Sequence, residues 1–388
     1  VTQQSFLLTI ITAAVLGLTS ASSAAAQTTK PDSAQKPWWE RITFGGDFRL
    51  RYDGIYDGVP GNNTPSRHRE RFRLRLTVGA DISEELAFGL RLASGDPGDP
   101  TSTNQSLAEL LGRKPINIDQ VFLTYSPRAV KGLTLGGGKY ALPVTRTQMT
   151  WDDDVNWEGT YQQYSTGSKV AVRLVAAQSP ITEVGGGSDA YMFAEYAHVR
   201  FPAGKTTIQL SIADYKFSHV DQIAVAQANN VLRTQRTNRL QLDSTGRVVG
   251  YVSGFNLVNA IGQATIPTPR REYPVTLLAD WVLNTEAAGS DDTGVWLTGS
   301  YGRASALRSY SAGYTFAWIE QDAAPGAFNF SDMVPSTNVR AHILSLSYVP
   351  LRALTLDLTA FFTTRLVVPA GASNPVATRI LADARIRF

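Results

Sequence analysis

The sequence predicts an all-β fold: a transmembrane antiparallel up-and-down β-barrel of about 16 strands, with about 14 or 18 as the alternatives. Three observations predict it. Apolar and polar residues alternate with period two from Ile42 to the last residue, the pattern of strands with two unlike faces. Short turns alternate with long Gly/Pro/Asp/Asn-rich loops along the chain. The first residues read as an export segment, and the last, Phe388, is an aromatic in phase with the apolar positions before it.

Composition narrows the class. Of 388 residues, 43% are hydrophobic and 18% charged, and the mean hydropathy is -0.12. That excludes a helical membrane protein and argues against disorder. Past the first two dozen residues no apolar run approaches the ~18 residues that a spanning helix needs, so membrane crossing falls to strands. There is no cysteine, which excludes a disulfide framework and thiolate metal sites. The formal net charge of +3 is too small to suggest a nucleic-acid partner.

At the start, Phe6 to Leu18 form an apolar core followed by the small residues "TSASSAAAQ". Ala24 and Ala26 satisfy the A-x-A cleavage rule, so residues 1–26 are expected to be a signal peptide cut before Gln27. The opening "VTQQS" lacks the usual Lys or Arg, and a buried helix or membrane anchor is the alternative. Residues 27–40 are expected to form a periplasmic lead, and 41–388 the barrel.

The strands follow in order. Ile42, Phe44, Phe48, Leu50 and Tyr52 share one face, and Thr43, Asp47, Arg49, Arg51 and Asp53 the other. Phe72, Leu74, Leu76 and Val78 alternate with Arg71, Arg73, Arg75 and Thr77. The rhythm returns at Ile208–Ile212, Tyr310–Trp318 and Leu354–Phe362, and again where Ile380, Ala382, Ala384 and Ile386 alternate with Arg379, Asp383, Arg385 and Arg387. The segment "DAYMFAEYAHVRF" is ambiguous in phase. Short turns are expected at "ADISEE", "SPRAVKG", "STGS", "PAGK", "ASAL" and "PLRA". Long loops are expected at 54–67, 95–115, 141–156, 179–189, 219–249, 287–293, 322–337 and 367–374. Short turns on one rim and long loops on the other is the asymmetry of bacterial outer-membrane barrels. Two places are less regular: the turn between Ala260 and Tyr273 carries Pro267 and Pro269, and "NRLQLDSTGRVVGYV" reads as a hairpin that either belongs to a loop or adds two strands.

A soluble sandwich alternates too. Here the polar face carries Arg, Asp, Thr, Ser and Gln on strand after strand, which predicts a wet lumen that needs no core. Closure satisfies every backbone group, as a bilayer demands. Phe388, ending a phased strand, is read as the signal recognised by the barrel assembly machinery. The stretches "WWERITFGGDFRLRYDG", "RERFRLRLTVGADIS" and "LTLGGGKYALPVT" resemble the bacterial outer-membrane putative-porin families, including phosphate-selective-type porins and related channels. The resemblance implies a barrel of porin size in the outer-membrane lipid, commonly a homotrimer, passing small hydrophilic solutes or anions.

Two groups of residues are candidates for function. Arg49, Arg51, Arg71, Arg73 and Arg75 form a ladder on the polar face of the first two strands, and Arg146 is expected to join that basic wall. A guanidinium row lowers the barrier for anions. The alternative is a structural ladder neutralised by Glu70, Asp47 and Asp53. The second group is Asp152, Asp153 and Asp154 in the third long loop, which would form an acidic constriction if that loop folds inward, or a solvated surface or Ca²⁺ site if it does not. His68, His198, His219 and His342 have no metal-ligand spacing, and no catalytic or phosphate-loop motif is present; no metal, cofactor or catalytic residue is expected. The competing readings are a barrel enzyme of phospholipase or protease type, which needs a Ser–His–acid group at the rim, and a structural or adhesive barrel plugged by its own loops.

Overall fold

The computed structural model describes residues 37–56, 66–229, 237–368 and 370–388. The expected signal peptide and residues 27–36 of the expected lead lie outside the described residues. The chain from Pro37 forms a 3-10 turn, Trp38–Arg41, before the barrel begins.

Sixteen strands close on themselves. The first eight are β1 (Ile42–Tyr56), β2 (Arg67–Asp81), β3 (Leu86–Ser94), β4 (Ile116–Tyr125), β5 (Leu133–Ala141), β6 (Asn156–Thr166), β7 (Ala171–Thr182) and β8 (Ala190–Ala203). The second eight are β9 (Thr206–Ser218), β10 (Asn256–Ile266), β11 (Val275–Asn284), β12 (Thr293–Gly302), β13 (Tyr310–Ile319), β14 (Val339–Leu351), β15 (Leu354–Arg365) and β16 (Ala377–Arg387). Neighbours pair antiparallel, and β16 returns to β1 with Arg385 opposite Arg49 and Asp383 opposite Arg51. No barrel strand is left as an open edge, which is what makes a sheet viable in lipid. Phe388 continues the seam: Gly46 N–H donates to its carbonyl at 2.9 Å. A Cβ on Gly46 would lie 2.8 Å from the Phe388 ring, so glycine there makes room for the aromatic.

The described loops sort by rim as expected, and the irregular places resolve; of the first expected loop, 54–67, residues 57–65 lie outside the described residues. The hairpin of Leu240–Leu242 and Val248–Tyr251 is a separate two-stranded sheet inside the fifth loop (219–255), so it adds nothing to the barrel count. Pro267 and Pro269 fall in an ordinary turn after β10, where a missing N–H is harmless. The fourth loop starts four residues later than expected, because β7 runs through Pro180 to Thr182. Pro180 stays in register with Tyr191 of β8, but the ladder to β6 ends at Gln178, as a strand residue without an N–H allows.

The outer face carries a girdle of Tyr125, Tyr164, Tyr301, Tyr310 and Tyr348 near the short-turn rim, with Trp281 and Trp318 toward the long-loop rim. Leu50, Leu210, Leu297, Leu346 and Leu358 lie exposed on the outer wall between the rims, the apolar band of a membrane barrel. One sector departs from the expected apolar face. Thr160, Gln178 and Glu195 point outward on β6–β8, and Asp214 sits opposite Glu195 on β9.

The inner face has two layers, which overturns the expectation of a lumen without a core. Toward the short turns it is polar: Gln209 and Ser211 on β9, Thr298 on β12, Thr315 on β13, Ser345 and Ser347 on β14. Toward the long loops the same strands turn apolar inward. Tyr215 and Phe217, Met192 and Tyr196, Leu257, Val282, Trp296 and Ile343 join one buried cluster. Inward loops fill the other side of that cluster: Met149 and Trp151 from the third loop (142–155), Ile223 and Ala224 from α1 (Val220–Asn229) in the fifth loop, and Phe328 and Met333 from the seventh loop (320–338).

Candidate functional site

The candidate site is the lumen at the level of these loops, bounded by the apolar cluster on one side and a charged wall on the other. Alternation fixes the wall. Residues two apart on a strand share a face, and antiparallel pairing sets Arg49 opposite Arg73 and Arg51 opposite Arg71. Asp53, fully buried, sits beside them on the same face.

Each expected arginine has a partner. Arg51 makes a fork to Asp383 at 2.7 and 2.8 Å and reaches Asp332 of the seventh loop at 2.7 Å. Arg73 holds Asp47 at 2.9 Å through Nε, and Arg75 bonds Asp154 of the third loop. Arg49 and Arg71 are held more loosely, at 3.7 Å from Asp383 and 3.5 Å from Asp53. The sequence reading missed Arg69 and Arg379, which join Asp53 at 2.6 and 2.8 Å. Seven guanidinium groups face five carboxylates, Asp47, Asp53, Asp154, Asp332 and Asp383, so the wall keeps an excess of two positive charges. Glu70 takes no part in that balance; it lies on the outward face of β2 with Phe72 and Leu74.

The third loop folds inward and crosses the lumen. Its Thr147 hydroxyl reaches Asp280 on β11, and Asp154 on its far end takes the Thr103 N–H at 2.9 Å. It also knits to the seventh loop: Asp152 N–H donates to the Phe328 carbonyl at 2.8 Å, and Phe330 N–H to that of Gln148 at 3.0 Å. The three aspartates have separate fates. Asp154 is paired with the wall. Asp152 is buried and turned to the seventh loop, accepting Ser331 N–H at 2.8 Å. Asp153 stays open, with Arg146 at 3.2 Å. Arg146 therefore belongs to the loop and bonds within it, rather than to the wall where it was expected.

The loop carboxylates titrate in opposite senses. Burial, then the neighbouring Asp154 carboxylate, pushes Asp152 well above the usual carboxylate range. Burial also opposes charge on Asp154 and Asp332, but Arg75 and Arg73 outweigh it at the first and Arg51 and Arg379 at the second, holding both below that range. Asp152 thus stabilises the seated loop most below about pH 4 and ceases to as pH rises through its raised value. Asp154 and Asp332 contribute above about pH 4 and lose it as pH falls through their lowered values. Acidification from neutral to about pH 4.5 should therefore not loosen the loop. The check is single-channel current noise over that interval, which is expected to stay level or fall; a rise would contradict the assignment.

A closed 16-stranded antiparallel barrel with a girdle of aromatics and a long inward third loop defines a transmembrane β-barrel of porin architecture. The model of the family described as "Putative porin" matches residues 55–246 of this chain. No curated protein matches the sequence. Among solved structures, OprB of Pseudomonas putida, solved at high pH, superposes with a TM-score of 0.60 at 12% identity, over 90% of this chain and 95% of that one. A loop-L8 deletion of OmpT, an outer membrane protein of Vibrio cholerae, gives 0.51 at 8% identity, over 89% and 99%. OmpF of Salmonella typhi, in complex with daunomycin, gives 0.51 at 7% identity, over 89% and 97%. At such identities the likeness is one of fold.

Proposed function

We propose that this protein is an outer-membrane porin, a passive channel for small hydrophilic solutes with a preference for anions. The observation that carries the reading is the charged wall. Seven arginines with Asp47, Asp53 and Asp383 line one side of the lumen, and Asp154 and Asp332 of the inward loops reach across to them. Solute would pass between the two, then through the Thr-, Ser- and Gln-lined layer beneath. A fixed positive excess in a narrow, weakly screened passage raises local anion concentration. Arg49 and Arg71 supply that excess, because their carboxylate contacts are the longest of the set.

The test is the reversal potential across a planar bilayer under a KCl gradient. The wild type is expected to reverse on the anion side, and Arg49→Gln with Arg71→Gln to bring the permeability ratio toward one, by roughly a fewfold. A cation-side or zero potential in the wild type would discard the anion preference and leave the channel reading standing. No specific observation favours the enzyme alternative: His68, His198 and His342 bond or stack with tyrosines on the described strands.

A further inference from the structure

We propose that the protein carries a binding site for small organic cations, adjoining the arginine wall at Asp154, in the long-loop half of the barrel. A cavity of about 420 Å³ lies between the second loop (95–115), the third loop, α1 and the walls of β4 to β7. It sits where the ladder between β6 and β7 stops at Gln178, and Glu158 and Pro180 both border it.

Its charge is the opposite of the wall's. Five carboxylates line it, Asp96, Asp99, Asp119, Asp154 and Glu158, against one lining cation, Lys139. Three of these acids are already matched: Asp119 by Arg91, Asp154 by Arg75 and Glu158 by Lys139. Asp96 and Asp99 have no basic partner among the described residues, and accept only local bonds from Gly98 N–H and from Thr101 N–H and hydroxyl. Two unmatched negative charges on a half-enclosed cavity favour a cationic guest.

The rest of the lining says the cation has an organic body. Trp151, Trp157 and Phe328 line the cavity, with Trp151 stacked on Phe328 at 5.7 Å and edge-on to Trp157 at 5.4 Å. Ile223 and Ala226 of α1 close the apolar side. These aromatic rings pack face to face or edge to face among themselves and offer the cavity an apolar border. Trp157 is 2% exposed, and its indole N–H has no hydrogen-bond partner among the described residues. A buried donor left unmade costs about 1–3 kcal/mol, and a guest with an acceptor group would relieve it. An arylalkylamine bearing a hydroxyl meets all three demands.

The experiment is calorimetric titration of the folded, detergent-solubilised protein with tyramine, and with 4-hydroxyphenylacetate as the same body bearing a carboxylate. Tyramine is expected to bind saturably and the carboxylate not to. Asp96→Asn with Asp99→Asn should weaken tyramine by at least about tenfold, since asparagine keeps the local turn bonds but not the charge. Trp157→Phe, which keeps an aromatic side chain but shortens it and removes the indole N–H, should weaken it severalfold. No saturable binding, equal binding of the two probes, or an unchanged affinity in the double asparagine variant would overturn the proposal. Binding is read here without any current, so its failure and a failure of the channel reading are separate results.

Discussion

Asp53→Ala is expected to destabilise the barrel by about 3–5 kcal/mol, the cost of leaving buried charge unmatched. The Asp53 side chain is fully buried and is shared by three guanidinium groups: Arg379 in a fork at 2.8 and 2.9 Å, Arg69 at 2.6 Å and Arg71 at 3.5 Å. It joins β16, β1 and β2 at the seam where the sheet closes on itself. Removing it strands Arg69 and Arg71 side by side and leaves Arg379 with Asp332 alone, at 3.2 Å. Asp53→Asn keeps the shape and part of the hydrogen bonding, and should still lose most of that stability because the charge is gone. Urea unfolding of the purified barrel in lipid vesicles reads the effect as a shift of midpoint. A loss under about 1 kcal/mol would mean that water or ions screen the cluster, and that it is a surface network.

Asp280→Ala should release the third loop. Asp280 is buried on the inner face of β11 and accepts the Thr147 hydroxyl from the loop and the Asn259 amide from β10. On the far wall it shares the hold with Tyr196 and Arg173, which bond Thr145 at 3.1 and 3.3 Å; Arg75 and Asp154 are the anchor on the near one. Without Asp280, the Thr147 end of the loop is left with the Thr145 bonds alone while the near end stays paired. The expected result is a single-channel conductance raised by roughly twofold, with a noisier open state. Conductance and noise equal to the wild type would show that the Thr145 contacts and the backbone bonds to Phe328 and Phe330 hold the third loop without Asp280.

Why the barrel was legible and its filling was not has a physical answer. Where one face meets lipid and the other water, residues such as Phe72 and Arg73 must differ, and the period-two pattern survives. In the long-loop half the inner face turns apolar against the inward loops, while the outer face carries both apolar and polar residues such as Phe193 and Glu195. The segment "DAYMFAEYAHVRF" loses its phase for that reason: Tyr191 and Phe193 face outward while Met192, Ala194 and Tyr196 enter the core. The signal was there, as apolar residues in the facing loops: Val144, Met149, Trp151 and Phe328. A loop built only for solvent would not carry them.

The candidate site was half legible for a related reason. Arginines two apart on adjacent strands declare themselves locally. Their partners do not: Arg379 lies 326 residues from Asp53, and Asp332 lies 281 from Arg51. Only closure of the sheet and the inward fold of the seventh loop bring these together. Glu70 shows the converse error, a near neighbour in sequence turned to the other face by the strand itself.

The most direct test of the account is stepwise conductance of the purified, folded protein in a planar bilayer. A water-filled passage between the arginine wall and the loop core predicts discrete current steps, ohmic at low voltage, larger in the Asp280→Ala variant. Folded barrels that insert and carry no current, in the wild type and in that variant alike, would contradict it and make the inward loops a plug.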